Sequence, residues 1–199
     1  EAGQQAGYRH NTDFNGSEQE GVGAYQVTHK NGERFSAAKA YLTPHLQRPN
    51  LQVITNALTT RVVMDADGPV PRAVGVEYRG NGGRGTAQTL RLKPGGEVVL
   101  SAGAFGSPQL LMLSGVGPSA HLREHGITPV RDLPGVGANL HDHVDAVIVV
   151  NAPQAKDLLG LTPGGMWKAV RGIFEWRRQR SGMLTTTLAE AGGFIKSSP

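Results

Sequence analysis

The sequence predicts an α/β chain, α+β overall, built from a β-meander, one strand–turn–helix unit and a smaller sheet-and-helix part. Three observations predict it. Strand-length runs between residues 51 and 93 alternate and are punctuated by Asp-Gly and Gly-Gly turns. A short apolar run, Glu97-Val98-Val99-Leu100, breaks at Ser101-Ala102-Gly103-Ala104 and leads into a Leu-rich stretch of helical length. A second apolar run at 144–150, read as a strand, is followed by a helix-period pattern from Thr162-Pro163 to about Arg180.

Residues 1–33 are polar and turn-rich, with at most two short strands around 24–28. Ser36 opens a short helical stretch, 37–42, which Pro44 stops. Strands are expected at 51–55, 60–64, 72–78 and 89–93, with hairpins at Asp67-Gly68 and Gly82-Gly83. Residues 97–100 read as a buried strand. Ser107 as N-cap and Pro108 at the first helical position then start a helix that Gly115 ends. Buried strand, small-residue turn and helix have the form of half a nucleotide-binding βαβ unit. A short helix is expected over 118–124. A rigid turn at Leu133-Pro134-Gly135-Val136-Gly137 marks a domain crossing, and 191–196 forms a final strand.

Composition bounds the function. The 199 residues are 38% hydrophobic and 18% charged, as in a globular protein. The 28 glycines, about twice the usual share, imply many turns and close backbone approaches. With no cysteine, disulfides and thiolate metal sites are excluded. No run of about 18 apolar residues is present to cross a membrane as a helix. The net charge of +4 gathers locally at Arg177-Arg178-Gln179-Arg180, and no basic stripe carries interleaved aromatics, so a nucleic-acid partner is not expected. The chain opens at Glu1-Ala2-Gly3 without an initiator Met, so sequence before Glu1 is expected.

Four motifs invite sharper readings. Gly80-Asn81-Gly82-Gly83-Arg84-Gly85 satisfies G-x-G-x-x-G, but a phosphate cradle needs a helix after it, and a strand follows; it reads as a hairpin loop. His141, His143 and Asp145 have H-x-H-x-D spacing, which would suit a binuclear metallohydrolase; the competing reading is a polar crossing whose side chains cap backbone groups, and no metal ligand is assigned. The helix ending at Arg180 reads as ordinary amphipathic packing, with contact at an anionic membrane surface kept open. Asp13, Asn15 and Glu18 read as turn chemistry, or else as the lining of a substrate entrance.

The stretch Gly103-Ala104-Phe105-Gly106-Ser107-Pro108-Gln109-Leu110-Leu111-Met112-Leu113-Ser114-Gly115-Val116-Gly117 resembles the second signature of the glucose–methanol–choline (GMC) oxidoreductases at every constrained position. Leu133-Pro134-Gly135-Val136-Gly137-Ala138-Asn139-Leu140, followed by Asp142-His143, is similar to the family's next block, with His141 where Gln is usual. Asp13-Phe14-Asn15-Gly16, Arg48-Pro49-Asn50-Leu51 and Arg72-Ala73-Val74-Gly75-Val76-Glu77-Tyr78 fall in the family's order. Glu190-Ala191-Gly192-Gly193-Phe194 resembles the choline dehydrogenase and aliphatic alcohol dehydrogenase branches.

The resemblance covers essentially the whole chain and implies the middle third of a typical member. Residues 34–133 would then be part of the FAD-binding domain, and 1–33 and 134–199 parts of the substrate-binding domain. It implies FAD as cofactor, with Thr59 meeting the adenine through its backbone and Ser101, Ala102 and Gly103 lying beside the adenosine. It implies oxidation of a primary alcohol to an aldehyde by hydride transfer to flavin. It implies an electron acceptor other than NAD, with quinone, dye-type acceptor and oxygen left open. Choline dehydrogenase and alcohol oxidase are the near alternatives, and a lyase that keeps FAD a further one. The catalytic histidine is expected beyond Pro199 and the main phosphate loop before Glu1, so no catalytic residue is assigned and the 199 residues alone are expected to be inactive. A cytoplasmic location, or one at the inner face of a membrane, is expected. Outside the family, the readings left open are the His141, His143, Asp145 metallohydrolase and a non-enzymatic binding module.

Overall fold

A computed structural model describes residues 1–148, 150, 163–187 and 189–196. The chain is a mixed helix-and-strand structure that divides into two compact units, residues 1–51 with 149–199 and residues 52–148. The sequence reading draws its crossings at 33/34 and 133/134; the units cross at 51/52 and 148/149.

The first unit contains α1 (Ala2–Gln5), β1 (Gly21–Ala24), β2 (His29–Lys30), β3 (Glu33–Arg34) and, from the far end of the chain, α4 (Pro163–Gln179) and β9 (Ala191–Phe194). Strand β1 pairs antiparallel with β9, Gly21 opposite Phe194 and Ala24 opposite Ala191. The first strand thus lies ahead of the expected 24–28, because its partner offers four residues opposite 21–24. A side chain at Gly23 would strike the Asn11 carbonyl at 2.1 Å, so only glycine lets this backbone approach so closely. Phe14 is buried against the rings of Tyr25 and Phe194. The polar cluster around it is turn chemistry. The Asn15 amide donates to Asp13 Oδ1 at 2.9 Å, Gln26 donates to the same oxygen at 2.8 Å, and Arg9 pairs with Glu18. These bonds, Gln26 first, hold the Asp13 carboxyl below its ordinary range.

The helical stretch after Ser36 forms one π-type turn, Ala38–Leu42, but Pro44 does not stop the chain's coiling. A 3₁₀ turn, Thr43–His45, follows with Pro44 among its first residues, where a missing N–H forfeits nothing. Helix α4 turns its small residues inward. Gly165 and Gly172 are buried, and Trp176 donates its indole N–H to the Gly32 carbonyl at 2.8 Å. The apolar stripe Met166, Trp167, Val170, Ile173 and Phe174 is on one face as expected, but that face is exposed, so the expected packing of the stripe is not formed among the described residues. The helix meets its neighbours on another face, where a side chain at Gly172 would meet Met183 at 3.0 Å.

The second unit holds the meander β4 (Leu58–Asp65), β5 (Arg72–Arg79) and β6 (Ala87–Arg91), in that spatial order and antiparallel throughout. Both expected hairpins are present. The G-x-G-x-x-G loop joins β5 to β6, with Gly82 donating its N–H to Asn56 O. Helix α2 (Gly103–Leu113), β7 (Val116–Gly117), α3 (Ser119–Glu124) and β8 (Arg131–Asp132) follow. Strands β7 and β8 are parallel, so 116–132 is a very small βαβ crossover. Its core is Val116 and Leu122, the latter 1% exposed. Asp132 reaches back from β8 to accept the Ser119 N–H at 2.9 Å, which caps α3.

Three expected strands do not form. Residues 51–55, 97–100 and 144–148 with 150 have no regular pairing, and Val99 and Val144 are 79% and 102% exposed. A strand needs a neighbour to take its N–H and C=O groups, and no described segment pairs with these. The helix expected from Ser107 instead begins one turn earlier, at Gly103.

The isolated 199-residue chain should therefore bind anilinonaphthalene sulfonate strongly, and less so after Trp167→Ser with Phe174→Ser. A dye signal no greater than that of a compact control protein would contradict the exposure of α4. A second prediction concerns acid. The Ser119 backbone N–H, first of all, holds the Asp132 carboxyl below its ordinary range. A depressed folded value stabilises at neutral pH and loses that contribution as pH falls through it. Asp132→Ala should lower the thermal midpoint at pH 7, and the gap to wild type should close only below about pH 4. A gap that persists unchanged at pH 2 would show that the carboxylate charge is not responsible.

Candidate functional site

Helix α2 lies against β4, and a cleft of about 570 Å³ runs between them. Leu58, Thr59 and Thr60 form its strand wall; Ala102, Gly106, Gln109, Leu110 and Leu113 form its helix wall. The helix-wall spacing of four, three, one and three is one face of an α-helix whose N-cap is Ala102. Since β4 is the edge of the three-stranded sheet, the cleft borders a strand side that no other strand among the described residues occupies.

Local chemistry shapes each wall. Gly103 has φ +82°, a conformation that turns the chain from the extended 97–100 segment into the helix. The Ala102 N–H donates to Ser107 Oγ at 3.0 Å, so the serine expected to cap its own helix start instead reaches back and closes the turn before it. Pro108 sits inside the helix and removes one backbone donor, a cost confined to the first turns. A Cβ at Gly106 would meet Ala102 Cβ at 2.9 Å, so glycine there keeps the first turn tight. At the other end Ser114 caps the helix and Gly115, φ +82°, leaves it.

On the strand wall, the β4–β5 register shifts between Thr59 and Arg61. Thr59 pairs with Tyr78 and Arg61 with Glu77, which leaves Thr60 as the extra residue of a bulge. The bulge is fastened by Glu77. The Thr60 hydroxyl donates to its carboxylate at 2.7 Å and Arg61 Nη2 donates at 3.0 Å. Those partners, Thr60 first, hold the Glu77 carboxyl below its ordinary range. The bulge sets how Thr59 meets the cleft.

Of the four expected cofactor residues, Thr59 and Ala102 come together on opposite walls of this cleft. Ser101 and Gly103 flank Ala102 and do not line it. Leu58, Thr60, Gly106, Gln109, Leu110 and Leu113 are additions; the helical period continued from Ala102 leads to the four on the helix wall. His141, Asp142, His143 and Asp145 are exposed in an unpaired segment, and no group of three or more His, Asp or Glu side chains able to hold a metal forms among the described residues. The metallohydrolase reading has no ligand set there.

Residues 1–145 match a family model described as GMC oxidoreductase. Over all 199 residues the chain is 45% identical to an alcohol dehydrogenase [acceptor] of Pseudomonas putida, 35% of which it covers. It is 41% identical, also over 199 residues, to an oxygen-dependent choline dehydrogenase of Rhizobium johnstonii, covering 34% of that protein. Among solved structures, a formate oxidase superposes on 97% of the chain with TM-score 0.76 at 27% identity, and the chain covers 32% of it. A fungal aryl-alcohol oxidase superposes on 96% with TM-score 0.73 at 28% identity, again with 32% of that protein covered. The chain spans about a third of the length of the curated relatives it matches.

Proposed function

The chain belongs to the GMC oxidoreductase family, and we propose that it supplies the adenine-side walls of an FAD site in an enzyme that oxidises a primary alcohol to an aldehyde. The observation that carries the reading is the meeting of Thr59 and Ala102 across one cleft. The family resemblance implies each at the cofactor, and although far apart in the chain they line one space.

The walls fit the adenosine half of FAD. Leu58, Leu110 and Leu113 offer apolar surface to a flat base, and the bulge beside Thr59 interrupts the ladder where backbone groups are wanted for its polar edge. Ala102 and the φ +82° turn at Gly103 present backbone without bulk, and Ser101 stands next to them. FAD, when bound, would supply the hydride acceptor for alcohol oxidation. The residues of this chain bind and orient; none is assigned the proton-accepting step, which this reading gives to a part of the enzyme outside these 199 residues.

An aliphatic primary alcohol is the proposed substrate, supported by the 45% identity to the alcohol dehydrogenase [acceptor], with choline the second reading on the 41% relative. The anaerobic visible spectrum of the full-length protein tests this. A medium-chain primary alcohol should bleach the flavin band. Bleaching by choline alone would move the substrate to the second reading, and the absence of any flavin band after reconstitution would reject the cofactor.

The cleft itself makes a sharper prediction. Ala102 is exposed, so enlarging it does not disturb a core. Ala102→Leu should fill the cleft and weaken FAD binding by at least tenfold, measured by flavin fluorescence on the full-length protein. Thr59→Val should leave binding within about twofold, because the proposed contact is through backbone. Equal losses for the two variants would argue against this division of roles.

A further inference from the structure

We infer that Ser114, which does not itself line the cleft, is a positioning residue that sets the separation of its walls. The inference rests on the FAD reading above. Ser114 is 7% exposed. Its Oγ accepts the Val62 N–H at 2.8 Å and donates to the Leu110 carbonyl one turn back in α2. A single hydroxyl therefore ends a strand-edge donor and a helix-end acceptor at once. No other hydrogen bond joins β4 to α2 among the described residues.

The placement gives the bond leverage. Val62 lies two residues past Thr60, the last strand residue in the cleft, and Ser114 directly follows Leu113, the last helix residue in it. The tie therefore fastens one end. Ala102 stands at the other, roughly 18 Å from Ser114 at 1.5 Å per helical residue. A small rotation of α2 about its C-terminal end becomes a large displacement at Ala102. Removing the hydroxyl also leaves the Val62 N–H, at a buried residue, without its acceptor, which drives the strand to shift or water to enter. Either result changes the gap into which the adenine fits.

The test uses full-length protein freed of flavin, and titrates FAD and ADP separately into wild type, Ser114→Ala and Ser114→Cys. Ser114→Ala is expected to weaken FAD and ADP by the same factor, about tenfold, on the scale of one buried hydrogen bond. The visible spectrum of bound flavin should be unchanged, since the flavin ring lies at the far end of the cofactor. Ser114→Cys, with a poor acceptor of similar size, should fall between alanine and wild type, and it carries the test if the alanine variant does not fold. Unchanged FAD affinity would overturn the inference. So would a loss for FAD without a loss for ADP, or an altered flavin spectrum, which would mark general disruption. Wild type that takes up no FAD would overturn the cofactor reading, and this inference with it.

Discussion

Every N–H and C=O of a strand edge needs a partner once water is excluded. At Val62, on the edge of the meander, the partner is a side chain of the helix that lies against that edge. That choice organises the second unit. It sets α2 alongside β4 instead of another strand, and so leaves room for a cleft where a fourth strand would otherwise pair. The same requirement explains the disorderly parts. Residues 51–55, 97–100 and 144–148 carry strand-like sequence and form no ladder with any described backbone. Exposed Val99, Val144, Val147 and Ile148 follow directly.

How much of this was legible in the sequence depends on the range of the interaction concerned. The meander was readable because alternation and Asp-Gly turns are local signals, and its strands find each other through short hairpins. The G-x-G-x-x-G loop was correctly read as a hairpin for the same reason, since the strand after it was visible. Apolar runs at 97–100 and 144–150 announce a buried strand only on condition that a partner exists, and sequence pattern does not carry that condition. The start of α2 was misplaced because Ser107-Pro108 is a strong local start signal, whereas the true start depends on Gly103 turning through positive φ and on Ser107 reaching backwards.

The candidate site shows the same division. Thr59 and Ala102 were reached through family resemblance, and the cleft joins them. Gln109 and Ser114 were not singled out, although both stand in the quoted signature, because their roles appear only when β4 and α2 are placed together. Helix α4 illustrates the opposite error. Hydrophobic periodicity picked out the stripe through Trp167 and Phe174 as the packing face, while the helix packs through Gly165, Gly172 and Trp176. Small residues permit close approach and leave almost no hydrophobic signal, so the eye goes to the wrong side.

The tie between Val62 and Ser114 spans 52 residues of chain. Contacts of that separation close large loops, and their entropy must be met before the contact gives anything back. The hairpins of the meander and the turns of α2 are local and can form early, each without the other. The space between them exists only after the long loop has closed. A chain with its strands and helix formed but that loop still open would have no cleft between them, so cofactor loading would wait on the contact between Val62 and Ser114.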